Sequence, residues 1–475
     1  MTMSAGGTIA SREWRRRVGH DHVIVTAVLL ILIGGVPTGV AAAWVAGRVD
    51  TGWLLTGLAT IVLCLPAGAA AARLRKSPRA VVPFIVGLGL VYFFVPSLLA
   101  FDPSSGLVAK VPLTPDEIER SRNLTEAVLI AFALPIALLY LAVPTLHHRP
   151  QDDEWRQDAF RSTLRLKTAL VLGVVGSLVA LANGITMGTA SRNFASAGAV
   201  STLSILEFFA ITTPAALWLA GYRRLSVLML MLSIAGPFLK GGRQDVLTPM
   251  IVLLIVVIAT RRRRTSGRRD ISVKMIAVVI LIGVGAVGVT VGTSSRRATV
   301  DTAVNGGQSP SIVSTLVKDQ QLFDVLLIAV AREPRPQGLE IYGRILAAPI
   351  PRAVWPDKPL SYDYDFRKRY FPEYEDAIPF SLAGTSFVSF LMPGAVLAGL
   401  LVASLALAAE ALSGRTGQRS ILVAALMAIL VLDLIRIGGV YRELLTFLGS
   451  VLGTMLITRT APAPPTPIPP RGSST

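Results

Sequence analysis

The chain has 475 residues, of which 52% are hydrophobic and only 16% charged, and its mean hydropathy is +0.60. Soluble globular chains carry about 25% charged residues, so the composition excludes an ordinary soluble domain, and the continuous apolar runs exclude a membrane β-barrel, whose strands alternate. The formal charge of +17 sits mainly in short basic runs between apolar segments, which is a membrane-orientation pattern, so no nucleic-acid partner is expected.

In chain order, a basic N-terminal segment of residues 1–22 leads into a first apolar run over 23–46, too long for the apolar core of a signal peptide and therefore read as a retained anchor. Further spans are predicted at 53–72, 80–100, 124–146, 168–187, 200–220, 225–239, 246–260, 273–292, 380–411, 420–437 and 443–458. Each run is long enough, or nearly so, to cross about 30 Å of hydrocarbon as a helix, and only helices satisfy the backbone of a continuous apolar run inside lipid. The seventh and eighth are short and are expected to be tilted or partly re-entrant. The fold class is therefore an all-α polytopic membrane protein with about twelve transmembrane helices. The lone cysteine, Cys64, lies in an apolar run and cannot form an intrachain disulfide.

Orientation follows from the basic residues. With the N-terminus in the cytoplasm, the inside loops carry R73-LRK-76, Arg223 and Arg224, R261-RRR-264 with Arg268 and Arg269, and Arg415 with Arg419. Outside loops carry few, so both termini are expected in the cytoplasm. The tail A461-PAPPTPIPPRGSST-475 is proline-rich and is expected to be disordered or extended.

One segment breaks the pattern of short loops. Residues 293–379 contain no convincing span and fall outside the cytoplasm. Nucleotide-activated substrates are absent there, so any chemistry needs a donor that arrives already activated. S311-IVSTLVKDQQLFDVLLIAVAR-332 has apolar residues at helical spacing, including Leu316, Leu322, Phe323, Leu326 and Leu327, and predicts an amphipathic helix on the membrane or over a cavity. S361-YDYDFRKRYFPEYEDAIPF-380 mixes aromatic rings with both charge signs. Rings stack on sugar faces, carboxylates accept hydroxyl hydrogen bonds, and guanidinium groups fork onto phosphate oxygens. A plainer reading is that these residues fold the loop.

Between them lie G343-R344, P349-IPR-352 and W355-PDKP-359, and elsewhere the external turn K240-GGRQD-245 and the element Y441-REL-444. This order, in a long external loop of a polytopic chain, resembles the O-antigen, or oligosaccharide repeat-unit, polymerase family. The resemblance covers most of residues 200–458. Family members often carry an acidic residue after the glycine that leads into the next span, whereas this chain has Thr385 and Ser386 after Gly384.

The resemblance implies a lipid-diphosphate-dependent glycosyltransferase. A glycan on undecaprenyl diphosphate is transferred at its reducing end to the non-reducing end of another lipid-linked repeat unit. The acceptor hydroxyl attacks C1 and undecaprenyl diphosphate leaves. The implied partners are these lipid-linked glycans, membrane lipids, and a chain-length regulator and flippase of the same pathway; no cofactor is implied. Charge developing on the diphosphate calls for preorganised cations. The catalytic candidates are Arg352, Arg243, Arg442 and Glu207, the last being a carboxylate inside a span, where charge is costly and tends to be functional. Arg352 could instead pair with Asp357, Arg243 could touch a lipid headgroup, Arg442 could pair with Glu443, and Glu207 could bond a neighbouring helix. Substrate-binding candidates are Lys358, Arg344, Trp355, Asp357, Arg296, Arg297, Tyr441, Arg436, Tyr362 and Tyr364. Asp433 and Arg436 are spaced to neutralise each other on one helical face, and Glu410 reads as a solvated residue at a helix end.

A metal site is not expected. All four histidines fall in predicted cytoplasmic segments, and no acidic cluster has ligand spacing. Two alternatives carry different expectations. A ligase-type transferase should show a histidine in the external loop, and none lies between 293 and 379. A flippase or other transporter should show internal repeats, and none is visible.

Overall fold

Ten of the twelve predicted apolar runs fall on described residues, and each is helical at close to its expected position. The computed structural model describes residues 51–99, 101–104, 107–144, 160–161, 163–189, 197–240, 243–260, 322–333, 335–347, 355, 357, 359, 362–372, 380–413, 418–437 and 440–458. The runs at 23–46 and 273–292, the RRRR segment and the proline-rich tail lie outside them. Among the described residues there is no strand, only an isolated antiparallel bridge between Leu164 and Thr458.

The helices are α1 (Thr51–Lys76), α2 (Val81–Leu99), α3 (Pro115–Ala142), α4 (Leu166–Thr189), α5 (Ala197–Leu219), α6 (Arg223–Lys240), α7 (Arg243–Ala259), α8 (Leu322–Arg332), α9 (Glu340–Ala347), α10 (Tyr362–Tyr370), α11 (Leu382–Ser413), α12 (Gln418–Ile437) and α13 (Val440–Ile457). Among the described residues five apolar stretches are long enough to cross a membrane: Leu54–Leu74, Pro78–Leu99, Pro115–Ala142, Leu382–Ser413 and Gln418–Arg436. The chain divides into two compact units, one of residues 1–147, 305–411 and 427–445, the other of 148–304, 412–426 and 446–475.

In the first unit α1 packs on α2 and α3. α3 begins with a capping box: Glu117 N donates to Thr114 Oγ1 at 3.3 Å, Thr114 N donates to Glu117 Oε2 at 2.8 Å, and Pro115 occupies the first turn, where its missing N–H costs nothing. At the other end of these helices Arg73 and Glu410 form a buried pair. Arg73 Nη2 lies 2.8 Å from Glu410 Oε2, with the two side chains 5% and 2% exposed. Arg73 Nη1 also donates to the carbonyls of Tyr140 (3.0 Å) and Val143, which the end of α3 leaves without intrahelical partners. The expectation that Glu410 is a solvated boundary residue is therefore wrong. It is 1% exposed, because an arginine read only as an orientation signal folds inward to meet it.

The second unit joins α4 to α5 and α6, with α7 on α5 and α6. Close approach is built on small residues. A Cβ on Gly236 of α6 would lie 2.4 Å from the backbone carbon of Ala180 in α4. Pro214 inside α5 has no N–H for the carbonyl of Ala210, and Ser233 Oγ of α6 lies 2.8 Å from that oxygen.

α11 corrects the expected span at 380–411. A straight helix of its length would run to about 48 Å, well beyond a bilayer core. It breaks at Leu391, where φ is 57° and ψ is −143°. Leu382–Phe390 is a short helix, and the membrane-length segment starts after Leu391. Gly394 is needed at the break, since a Cβ there would lie 1.9 Å from Ser386 O.

Candidate functional site

The described parts of residues 322–372 belong to the first unit. α8 does not lie on the membrane as an amphipathic surface helix. Its residues Leu322, Phe323 and Val325 through Val330 are all buried, and it packs on α3, on α2 and on the 3-10 turn Val108–Lys110. Phe323 meets Phe101 edge-on at 5.2 Å. Asp324 accepts from Leu107 N at 3.1 Å, and burial pushes its carboxyl up to about 6 against the pull of that hydrogen bond. Arg332, ending α8, donates to Pro112 O and lies 3.7 Å from Glu117 in the cap of α3. The predicted helix start at 311 lies outside the described residues.

The chain then clamps the short first half of α11. Gln337 N donates to Val388 O and Gly338 N to Ser389 O, each at 2.9 Å. Tyr342 Oη is 3.0 Å from Ser386 Oγ, and its ring stacks on Phe390 at 6.0 Å with an interplanar angle of 16°. Thr385 and Ser386, which stand after Gly384 in place of an acidic residue, are both buried here.

On this clamp sits an ion-pair layer made by α9, α10 and the end of α8. Arg344 holds Glu340 Oε1 at 2.6 Å and Asp365 Oδ2 at 3.0 Å. Arg369 holds the same Asp365 oxygen at 3.0 Å and Glu333 Oε1 at 2.8 Å. Glu333 also accepts from Tyr370 Oη at 3.2 Å and Gln337 Nε2 at 2.9 Å. Burial works to raise Asp365, but hydrogen bonds from the two guanidinium groups outweigh it and hold the carboxyl below the ordinary range. Burial and the Glu333 charge push the Tyr370 phenol up, so it remains a neutral donor. Beneath this layer Tyr362, Phe366, Phe371 and Phe380 form an aromatic core, with Tyr362 and Phe366 each 5.1 Å from Phe380.

The predicted residues divide accordingly. Arg344 is brought together with Tyr362 and Tyr364 through α9 and α10, but its guanidinium is engaged by Glu340 and Asp365. Tyr362, expected on a ligand surface, is 4% exposed and packs inward. Tyr364 is half-buried, with the Arg367 guanidinium 4.5 Å above its ring. Trp355 and Asp357 are exposed. Asp433 and Arg436 are both half-buried on α12, and Glu207 is half-buried in α5 of the second unit. Arg243 opens α7, and Tyr441 and Arg442 lie in the first turn of α13; their side chains fall outside the described set. Arg352, Lys358, Arg296 and Arg297 lie outside the described residues altogether.

Several polar residues of the first unit were not anticipated. Glu333 joins Asp365 and Arg369 only through tertiary structure, although 365 and 369 have helical pair spacing, and Arg367 lies beside them on α10. Glu126 of α3 is fully buried, accepting from Thr56 Oγ1 at 2.5 Å and Arg122 Nε at 3.2 Å. Its signal in the sequence is a carboxylate just inside a predicted span, four residues after an arginine. Among the described residues no group of three His, Cys, Asp or Glu side chains could hold a metal ion.

No family model, curated protein or solved structure matches the chain.

Proposed function

We propose that the chain is a polymerase of undecaprenyl-diphosphate-linked oligosaccharide repeat units, with about twelve spans, both termini cytoplasmic, and its active site on the outer face of a bacterial inner membrane. The reading is carried by the order G343-R344, P349-IPR-352 and W355-PDKP-359 within a long external segment of a chain with membrane-length helices. The layer on α9 and α10 supports it. Arginine, carboxylate and aromatic side chains gather there, flanking the IPR and WPDKP elements in sequence, and these are the groups that bind a sugar phosphate.

In this mechanism the acceptor hydroxyl oxygen forms a bond to C1 of the donor glycan and its proton passes to water or to the departing diphosphate. The C1–O bond to the diphosphate breaks, and undecaprenyl diphosphate leaves with the electron pair. Arg352 stabilises the charge that grows on that diphosphate, and Lys358 assists as a point charge. Trp355, exposed at the surface, supplies an apolar face for a sugar ring or the membrane interface.

The test is Arg352→Ala in the cell that makes the chain. Lipid-linked single repeat units accumulate and long glycan is lost, while the folded variant stays in the membrane. Normal long glycan from a cell holding only this variant would remove Arg352 from the mechanism.

A further inference from the structure

Within the layer on α10, one guanidinium stands apart. Arg344 and Arg369 are each held by two carboxylates. Arg367 is only 8% exposed, and no carboxylate pairs with it among the described residues. Its Nε is sealed from solvent without a hydrogen-bond partner. Its charge rests on the Tyr364 ring at 4.5 Å. A buried arginine is normally matched by an anion, because desolvating a charge without a counter-charge is strongly unfavourable. Cation–π contact offsets part of that cost and leaves the edge of the fork free. The turn of helix between Tyr364 and Arg367 fixes this stack, and the aromatic core under Phe366 fixes the turn.

The geometry points to Arg367, stacked on Tyr364, as the binding site for a phosphate-bearing ligand, with the guanidinium edge forking onto its phosphate oxygens. Resting on the reading above, that ligand is the diphosphate of a lipid-linked glycan. Phosphate fits the fork bidentately. Glu333, Glu340 and Asp365 are already held by Arg344 and Arg369, so these three do not compete for Arg367.

The test uses the full chain in phosphatidylcholine nanodiscs with three probes: inorganic pyrophosphate, undecaprenyl diphosphate, and phosphatidylglycerol built into the disc. Wild type binds pyrophosphate and undecaprenyl diphosphate. Arg367→Met keeps the apolar stem over Tyr364 and binds both at least tenfold more weakly, and Arg367→Lys falls between. Equal binding by wild type and Arg367→Met, or Arg367-dependent binding of phosphatidylglycerol alone, overturns the site. A measurement on wild type stands beside the variants. Pyrophosphate should slow phenylglyoxal modification of Arg367, read by mass spectrometry, and unchanged modification overturns the site whether or not a variant folds. Polymerisation is read separately. Arg367-dependent pyrophosphate binding in a chain that polymerises nothing sinks the polymerase reading and keeps the site; polymerisation without that binding does the reverse.

Discussion

Gly338 N donates to Ser389 O at 2.9 Å, and that carbonyl is free because Pro393, four residues on, has no N–H to offer it. The same break frees Val388 O, which Gln337 N takes. The chain at Gln337 and Gly338 thus docks on backbone groups that an unbroken helix would have used itself. Leu391 holds the break with a left-handed φ of 57°, a conformation that disfavours any residue with a Cβ. Leu391→Gly relieves this strain and loses a half-buried side chain, so stability should change by no more than about 1 kcal/mol. Gly394→Ala should cost about 3 kcal/mol, since its Cβ would meet Ser386 O. Thermal unfolding of the two purified variants checks the contrast. Equal, small effects would show that the chain does not fold back tightly at Leu391.

The Arg73–Glu410 pair predicts an asymmetry. Arg73→Met takes away the guanidinium that donates to Glu410 Oε2 and to two helix-end carbonyls, and should destabilise by about 3–5 kcal/mol. Adding Glu410→Met to it should restore part of the loss, because the buried carboxylate that lost its arginine is gone. Denaturation in a fixed detergent gives the comparison. A double variant no better than Arg73→Met would mean that Glu410 is not stranded when Arg73 is removed.

Asp324 gives a pH dependence. Its carboxyl is raised to about 6 from 3.8, so the folded state binds the proton more tightly than the unfolded chain. The resulting stability is fully present below about pH 4 and is lost as pH rises through 6. Asp324→Asn keeps an acceptor for Leu107 N but cannot ionise. The stability of wild type relative to this variant should fall by roughly 2–3 kcal/mol between pH 4 and pH 7. Parallel pH profiles would argue against a buried, proton-binding Asp324.

Orientation is open to a direct chemical check. Asp357 is exposed, and the native Cys64 is buried. In a Cys64→Ala background, Asp357→Cys should react with an impermeant thiol reagent added outside intact cells. Labelling only after lysis would turn the proposed orientation over.

The helices were legible because apolar runs punctuated by basic residues leave little choice inside lipid: 80–100 became Val81–Leu99, and 420–437 became Gln418–Ile437. The break in α11 was marked by Pro393 and Gly394 within an apolar run, but hydropathy averages over such a pair. The apolar spacing of α8 was visible, whereas burial on nearly every side depends on α2, α3 and the Val108–Lys110 turn arriving from far along the chain. The ion-pair layer was the least legible. Glu333, Arg344, Asp365 and Arg369 are spread over residues 333–369, and nothing local says that Arg344 and Arg369 share one carboxylate while, among the described residues, Arg367 takes none.

A repeat-unit polymerase of the proposed kind forms glycosidic bonds at the expense of a lipid diphosphate. The most direct measurement supplies the purified full-length chain, in lipid, with lipid-linked repeat units extracted from cells that lack it. The expected product is a ladder of glycans at whole multiples of the repeat, with one undecaprenyl diphosphate released for each bond formed. Folded protein that yields no ladder and releases no diphosphate, or that only moves the intact lipid-linked unit across the bilayer, would contradict it.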